Sequence, residues 1–190
     1  MFDRLFGRLF GRSRDVQAAA DLYARIVAQA RRPEFYGVLG VPDTLDGRFD
    51  MVALHLFLVM HRLKGQGAAA DARSRRLFEV VTNDFERALR EMGVGDQGIA
   101  RRVTAMVGGA RGRLTAYDAA IAQDALEKDG RALEVALDNN VYGTVPEPDP
   151  RALATLAGYV RRSVAELAAQ PLESLLSGAF HWADPPAQKD

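Results

Sequence analysis

The residues best suited to bind a metal ion or to transfer a proton are three histidines, His55, His61 and His181. His55 and His61 are six residues apart, a spacing that places them on different faces of a helix, and the chain has no His-Glu-x-x-His motif. It also has no cysteine, which excludes disulfides, thiolate metal ligands and cysteine nucleophiles. The sequence therefore predicts no metal site and no bound cofactor.

Two short motifs resemble ligand-binding loops without the residues or the context that the chemistry needs. The segment GVGDQG, residues 93–98, has the glycine spacing of a dinucleotide-binding loop, but a helical segment and not a strand precedes it. In DTLDGRFD, residues 43–50, Leu45 and Gly47 stand where a calcium loop needs oxygen ligands. We interpret both as turns beside helix termini. Because a nucleophile elbow and a P-loop are also missing, we expect no enzymatic activity and no small-molecule substrate.

Apolar residues recur at helical spacing along nearly the whole chain, and no alternating strand pattern is present. A chain of 190 residues is long enough for one domain with a sizeable core. The sequence therefore predicts an all-α fold, a single-domain helical bundle of about six to seven helices. With a loop at 35–43, the helices should cover 14–31, 47–64, 69–92, 97–123, 129–141, 150–169 and a short segment from Pro171.

Several residues mark the ends of these helices. Pro33 should end the first helix, Gly93 should follow the C-cap of the third, and Asp96 should cap the fourth. Asp149 and Pro150 form the cap and first-turn pair that starts the sixth helix. The predicted chain has three parts: a basic amphipathic segment at 1–13, a helical domain at 14–182 and a flexible tail at 183–190.

The first twelve residues, MFDRLFGRLFGR, place five large apolar side chains within an arc of roughly 140° on an ideal helix, with most charged residues opposite. A short basic amphipathic helix of this kind binds the headgroup region of anionic membranes. A targeting segment, packing on the body of the protein and disorder are the alternatives. The residues predicted to insert into the membrane are Phe2, Leu5, Phe6, Leu9 and Phe10.

The second predicted helix contains the longest apolar run, MVALHLFLVM at residues 51–60, which is far shorter than the ~20 residues of a membrane-spanning helix. A basic stripe on this helix consists of Arg48, His55 and Arg62. The apolar strip beside it consists of Met51, Leu54 and Leu58. This strip is either a second packing face or an exposed groove for an apolar partner.

Arginine clusters leave a second function class open. The net charge is zero, because 25 Lys and Arg balance 25 Asp and Glu, so the whole chain is not a general polyanion binder. Clusters at 73–76, 101–102 and 161–162 nevertheless keep an RNA- or ribosome-binding helical module as the alternative. Aromatic residues are not interleaved with these clusters as a base-stacking platform requires, which favours solvated helix faces.

Four segments carry a resemblance to a known family. They are FYGVLGVPDTLDGRFDMVALHLFLVMHRLK at 35–64, FEVVTNDFERALREMGVGD at 78–96, AYDAAI at 116–121 and NVYG at 140–143. In this order they resemble the ubiquinol–cytochrome c chaperone family, which are assembly factors of the cytochrome bc1 complex. The similarity covers roughly residues 20–180.

The resemblance implies an all-helical, non-enzymatic factor that binds newly made cytochrome b and protects it before haem insertion and assembly. Mitochondrial relatives are thought to act near the ribosomal exit tunnel, so the ribosome is a further candidate partner. We expect a cytoplasmic protein, peripherally associated with the inner membrane through its N-terminus. The residues predicted to contact cytochrome b lie on the second helix and the turn before it: Asp43, Asp46, Arg48, Met51, Leu54, His55, Leu58 and Arg62.

Overall fold

The computed structural model describes residues 2–127 and 130–187, with side chains described at 15–96, 98–127 and 130–187. Within these ranges the chain forms eight helices and no strand, which confirms the predicted all-α fold. The helices are α1 (Phe2–Ala30), α2 (Pro33–Gly37), α3 (Leu45–Leu63), α4 (Ala68–Glu91), α5 (Asp96–Glu127), α6 (Arg131–Val141), α7 (Pro150–Ala169) and α8 (Leu172–Ser177).

Local signals set two helix ends where the sequence predicts them, whereas α5 begins at Asp96 itself and its first amide bonds go to the carbonyl of Gly95. After α4, Gly93 has a φ of +78°, its amide donates to the carbonyl of Arg90 (2.9 Å), and the Val94 amide donates to the carbonyl of Leu89 (3.0 Å). These two bonds satisfy carbonyls that a helix end otherwise leaves without a partner, and the left-handed φ favours glycine. At α7, the predicted cap residue Asp149 accepts a hydrogen bond in the first turn.

The helix α3 lies at the centre of the bundle. It packs against α1, α4, α5, α6 and α7, and every residue from 50 to 59 is buried. A helix that is apolar around nearly its whole circumference is stable in water only when neighbours cover all of its faces. The core therefore forms around α3, and the other long helices make up the outer layer.

The predicted loop at 35–43 is partly helical. Pro33 occupies the first turn of α2, where its fixed φ suits a helix and its missing N–H removes no bond. Phe35 lies in the core, and the Tyr36 hydroxyl donates to the carbonyl of Ala30 (2.9 Å). A single helical turn has too few residues to show a periodic pattern, which is why sequence reasoning missed α2.

The predicted flexible tail begins too early at residue 183. Ala183 is only 1% exposed, and its carbonyl accepts a hydrogen bond from the Gln29 amide (3.4 Å). Pro186 is also buried, and the rings of Phe180 and Trp182 meet edge to face at 5.0 Å. Individual anchors of this kind fix an irregular segment without producing a sequence period.

The helix α5 continues through three glycines, Gly108, Gly109 and Gly112, and exceeds its predicted range of 97–123. Packing against α3, α4 and α6 supports it along its length. A Cβ atom added at Gly108 or Gly112 would meet nothing within 4 Å.

We therefore predict that Gly108→Ala and Gly112→Ala each stabilise the protein by about 0.5–1 kcal/mol, because alanine loses less conformational freedom in a helix. Urea unfolding measures the change. The matched control is Gly47→Ala in α3, where the new Cβ would lie 2.0 Å from the Pro42 carbonyl oxygen. That variant should lose about 1–3 kcal/mol. Equal effects at all three positions would contradict this account of α5.

Candidate functional site

The turn before α3 has a fixed shape on the protein surface. The Thr44 hydroxyl accepts a hydrogen bond from the Gly47 amide (3.1 Å), and the Asp43 carboxylate accepts one from Arg48 Nε (2.6 Å). Gly47 lies directly against the Pro42 carbonyl, so a larger residue there would push the turn away from the helix. The Arg48 guanidinium also holds the pKa of Asp43 below its usual value. The turn is therefore preorganised before any partner arrives.

Leu45 projects from this turn. It is 70% exposed and stands beside three exposed charged residues, Asp43, Asp46 and Arg48. Sequence reasoning noted Leu45 only as a misfit in a calcium loop and missed it as a contact residue. The available signal was a leucine between two acids at the start of a helix. Contact of these three charged residues with a partner remains a prediction. The exposed Leu45 would add an apolar side chain at the centre of that contact.

The predicted groove along α3 does not exist. Met51 and Leu54 are 0% exposed and Leu58 is 1% exposed. The physical reason is the central position of α3, since α1, α4, α5, α6 and α7 all pack against it. The prediction of an accessible apolar strip at these three residues was wrong, and the alternative of a second packing face was right.

The basic stripe on α3 does not form one continuous exposed surface. His55 is fully buried, and Arg48 is paired with Asp43. Arg62 donates from Nε to the carbonyl of Leu167 (2.8 Å) and from a terminal nitrogen to the carbonyl of Gln170 (3.1 Å). A cation is favourable at the carbonyl end of a helix, so Arg62 caps α7. Arg62 is half-buried and serves the fold here, and its predicted contact with a partner stays a prediction.

His55 is the centre of a buried hydrogen-bond chain. Its Nδ1 donates to the Met51 carbonyl (2.8 Å), so its Nε2 accepts the hydroxyl proton of Tyr159 (2.8 Å). Gln29 Nε2 in turn donates to the Tyr159 oxygen (3.1 Å). Burial lowers the pKa of His55 to about 4, because an imidazolium would lose its hydration there.

Aromatic rings close this chain off from water. Phe35 of α2 meets the His55 ring edge to face at 5.3 Å, and Trp182 approaches it at 5.5 Å. The chain and its rings thus join α1, α2, α3, α7 and the C-terminal segment. His55 serves the fold here, and its predicted contact with a partner was wrong.

A wide groove of about 790 Å³ lies between α1 and α4. The Tyr23 hydroxyl donates to the Asp84 carboxylate (2.9 Å) and joins the two helices across it. Both Ala24 and Ala28 are exposed beside it. The groove is lined by Ala20, Tyr23, Ala24, Val27, Ala28, Arg31, Val80, Asn83, Asp84 and Arg87.

The composition of the α1–α4 groove suits a helix as its occupant. Small side chains at Ala20, Ala24 and Ala28 recur every four residues, which lets a second helix backbone approach closely. Charged residues line its edges, which limits the apolar surface that water meets when the groove is empty. Sequence reasoning missed this site, although the four-residue spacing of alanines was visible.

A smaller pocket of about 340 Å³ opens beside α3, α4 and α5. Asp118 at its edge accepts hydrogen bonds from His61 Nδ1 (2.8 Å) and Lys64 Nζ (2.5 Å). These two partners hold the pKa of Asp118 below its usual value, Lys64 through the stronger bond. These hydrogen bonds of His61 and Lys64 to Asp118 connect the end of α3 to α5. The arrangement of the three side chains is explained without a bound ligand.

Two kinds of site are missing from the part of the chain that the structure describes. It contains no group of three or more His, Cys, Asp or Glu side chains that could hold a metal ion. None of its helices has the length and apolar character needed to cross a bilayer. The side chains predicted to insert into membranes lie outside the described residues: Phe2, Leu5, Phe6, Leu9 and Phe10.

Comparison with known proteins gives a consistent result. The family model described as ubiquinol-cytochrome C chaperone matches residues 38–182. Ubiquinol-cytochrome-c reductase complex assembly factor 1 of Xenopus laevis is 29% identical over 174 residues, covering 91% of this chain and 84% of that protein. The Mus musculus protein of that name is 27% identical over 166 residues, covering 87% of this chain. This chain spans about half the length of the mouse and human proteins, 54% of each.

A solved structure extends the similarity to nearly the whole chain. The crystal structure of the Cbp3 homolog from Brucella abortus superposes with a TM-score of 0.79 at 34% identity, covering 97% of both chains.

The buried state of His55 predicts a pH-dependent stability. Its pKa is about 4 in the folded protein and 6.5 when exposed, so the unfolded chain binds the extra proton between these values. The contribution of neutral, buried His55 to the free energy of unfolding is complete above pH 6.5. It declines by roughly 3 kcal/mol in total as the pH falls to 4. The stability difference between the wild type and His55→Gln, measured by urea unfolding, should shrink accordingly.

Asp50 makes this difference measurement necessary. Burial raises the pKa of Asp50 to about 6, although an Arg113 nitrogen lies 2.6 Å from its carboxylate. The folded protein therefore binds the Asp50 proton more tightly than the unfolded chain, and this contribution is lost as the pH rises through 6. In the wild type, the pH-dependent contributions of Asp50 and His55 to the free energy of unfolding oppose each other and overlap. The contribution of Asp50 is the same in the wild type and in His55→Gln, so it cancels in the difference between the two proteins. A difference that stays constant from pH 7 to 4 would contradict the buried neutral state of His55.

Proposed function

This chain belongs to the ubiquinol-cytochrome C chaperone family, and from that premise we propose that it binds newly made cytochrome b during assembly of the bc1 complex. The named relatives are reductase complex assembly factors, which supports a role in building that complex. Cytochrome b is a protein of membrane helices, which need an apolar surface before they are assembled. We propose a holding function without catalysis and without a small-molecule substrate.

The observation that carries this proposal is the α1–α4 groove. An apolar helix can lie along Ala20, Ala24 and Ala28 with close backbone packing, which is how helices associate in membranes. Arg31, which directly follows α1, and Arg87 of α4 border the groove at one end. Cations favour the carbonyl end of a helix, so they suit a docked helix whose C-terminal end lies near them.

The turn before α3 is a second proposed contact. Leu45 offers an apolar side chain on a rigid support, and Asp43, Asp46 and Arg48 surround it with charge. Such a contact would fix the orientation of the client, while the groove would supply most of the buried area.

We also propose that the protein associates peripherally with the inner membrane. The basic amphipathic segment with Phe2, Leu5, Phe6, Leu9 and Phe10 would lie in the headgroup region, where the client enters the bilayer. Contact with the ribosome would be compatible with this position.

The RNA-binding alternative gains no support from the described side chains. In the cluster at 161–162, Arg161 donates to the Asp124 carboxylate (2.8 Å) and to the Gly130 carbonyl (2.6 Å). Arginines that hold helices together are less available to bind phosphates along a nucleic acid.

The groove predicts the effect of filling it. Ala28→Trp should leave the thermal stability nearly unchanged, because the residue is exposed, yet should reduce crosslinking to cytochrome b in cells roughly tenfold or more by blocking the groove. The matched control is Ala119→Trp, an exposed alanine on α5. A folded Ala28→Trp protein that captures cytochrome b as well as the control does would remove the groove from consideration.

The turn predicts a smaller effect. Leu45→Asp should weaken capture of cytochrome b about three- to tenfold, a loss typical of one exposed apolar contact. Leu126→Asp is the matched control, because Leu126 is 83% exposed and lies on α5. Pull-down of cytochrome b from solubilised membranes measures both variants. Similar losses at Leu45 and Leu126 would mean that general surface polarity, and not this turn, determines capture.

A further inference from the structure

A small cavity of about 250 Å³ lies between α1, the first turns of α4, and α8. Its walls are Asp15, Ala69, Ala72, Arg73, Arg76 and Leu176. Two arginines against one carboxylate give these walls a net positive charge, and Arg76 also pairs with the carboxylate of Glu79 beside the cavity. The apolar remainder consists of short side chains and one leucine, so the cavity is both cationic and partly apolar.

Arg73 is held in place with unused hydrogen-bonding capacity. One terminal nitrogen donates to the Asp15 carbonyl (3.0 Å), and the other is 3.8 Å from the Asp15 carboxylate, which is too far for a hydrogen bond. The Arg73 Nε is buried and has no hydrogen-bond partner among the described residues. Only 12% of the side chain is exposed. The terminal nitrogen that lies 3.8 Å from the Asp15 carboxylate makes no hydrogen bond to it, so it can bind an acceptor that enters the cavity.

We propose that this cavity binds a phosphate group, as a phosphodiester in the headgroup of an anionic phospholipid. Phosphate offers several strong acceptors to an arginine fork, and Arg76 adds a second cation from the same helix face. A volume of about 250 Å³ admits a phosphate with its glycerol but is small for a whole nucleotide. The apolar walls at Ala69, Ala72 and Leu176 suit the glycerol carbons.

The position of the cavity favours a lipid as the source of the phosphate. Asp15, one of its walls, directly follows the basic amphipathic segment in α1. The inference rests on the proposed membrane association and does not depend on cytochrome b. It assigns to Arg73 and Arg76 a headgroup contact that is separate from insertion of the phenylalanines.

The experiment uses the full chain and two probes: inorganic phosphate, followed by calorimetric titration, and phosphatidylcholine vesicles with or without phosphatidylglycerol, followed by co-sedimentation. The variants are Arg73→Gln, Arg73→Lys and Arg76→Gln. Arg75→Gln is the matched control, since it removes the same charge from an exposed position next to the cavity. Thermal unfolding confirms that each variant is folded, and Arg76→Gln provides a second test because Arg73 also anchors Asp15.

We expect Arg73→Gln to bind both probes roughly tenfold more weakly, while Arg75→Gln changes by less than about twofold. Arg73→Lys should not restore binding, because an ammonium lacks the fork geometry. Loss of phosphate binding with unchanged vesicle binding would support the phosphate site and identify free phosphate as its ligand. Equal losses at Arg73 and Arg75, or no binding of either probe by the wild type, would overturn the proposal.

Phe6→Asp combined with Phe10→Asp separates this inference from the proposed membrane insertion. If insertion holds the protein on vesicles, this double variant should leave the membrane and still bind inorganic phosphate. A double variant that loses phosphate binding as well would overturn the cavity as an independent site.

Discussion

The burial of α3 along its middle, from residue 50 to residue 59, is the constraint on which the rest of the structure depends. A helix without an exposed face must satisfy every polar group that it carries inside the protein. His55 does so through a hydrogen bond with Tyr159, and the Asp50 carboxylate forms an ion pair with Arg113. Each partner lies on a different outer helix, α7 or α5, so the polar residues of α3 determine how the surrounding helices are arranged. Apolar packing alone would define that arrangement less specifically.

Burial of α3 also determines where a partner can bind. A central helix cannot offer a docking face without unfolding its neighbours, so binding is left to the outer layer and to the turn where α3 emerges. The α1–α4 groove belongs to that outer layer, and Leu45 stands at the emerging end of α3. Both sites are supported by the same hydrophobic core around α3.

Sequence reasoning succeeded where structure is set locally and failed where it depends on distant residues. The helix ends at Gly93 and Asp149 follow from the conformational preferences of a few neighbouring residues, and they were predicted closely. The α7 partners of His55 and Arg62 lie more than one hundred residues away in the sequence. The sequence pattern of α3 alone therefore could not distinguish a stripe of exposed basic residues from a stripe of basic residues with internal partners. The same ambiguity hid the burial of Leu54. An amphipathic pattern shows that two faces differ in polarity, but it does not show which polar residues find internal partners.

The relation between α1 and α4 connects the two proposed binding sites. Asp15 of α1 contacts Arg73 of α4, and further along both helices Tyr23 contacts Asp84. The two helices therefore run in the same direction. The phosphate cavity and the groove therefore lie in line along one interface, with the cavity nearer the N-terminus. From Asp15 to Arg31 the axis of α1 extends about 24 Å, most of the thickness of a bilayer core. A headgroup bound in the cavity would fix one end of this interface at the membrane surface and point the groove away from it. A client helix held there would stay close to the bilayer that it must enter, with its apolar face covered by alanines until assembly proceeds.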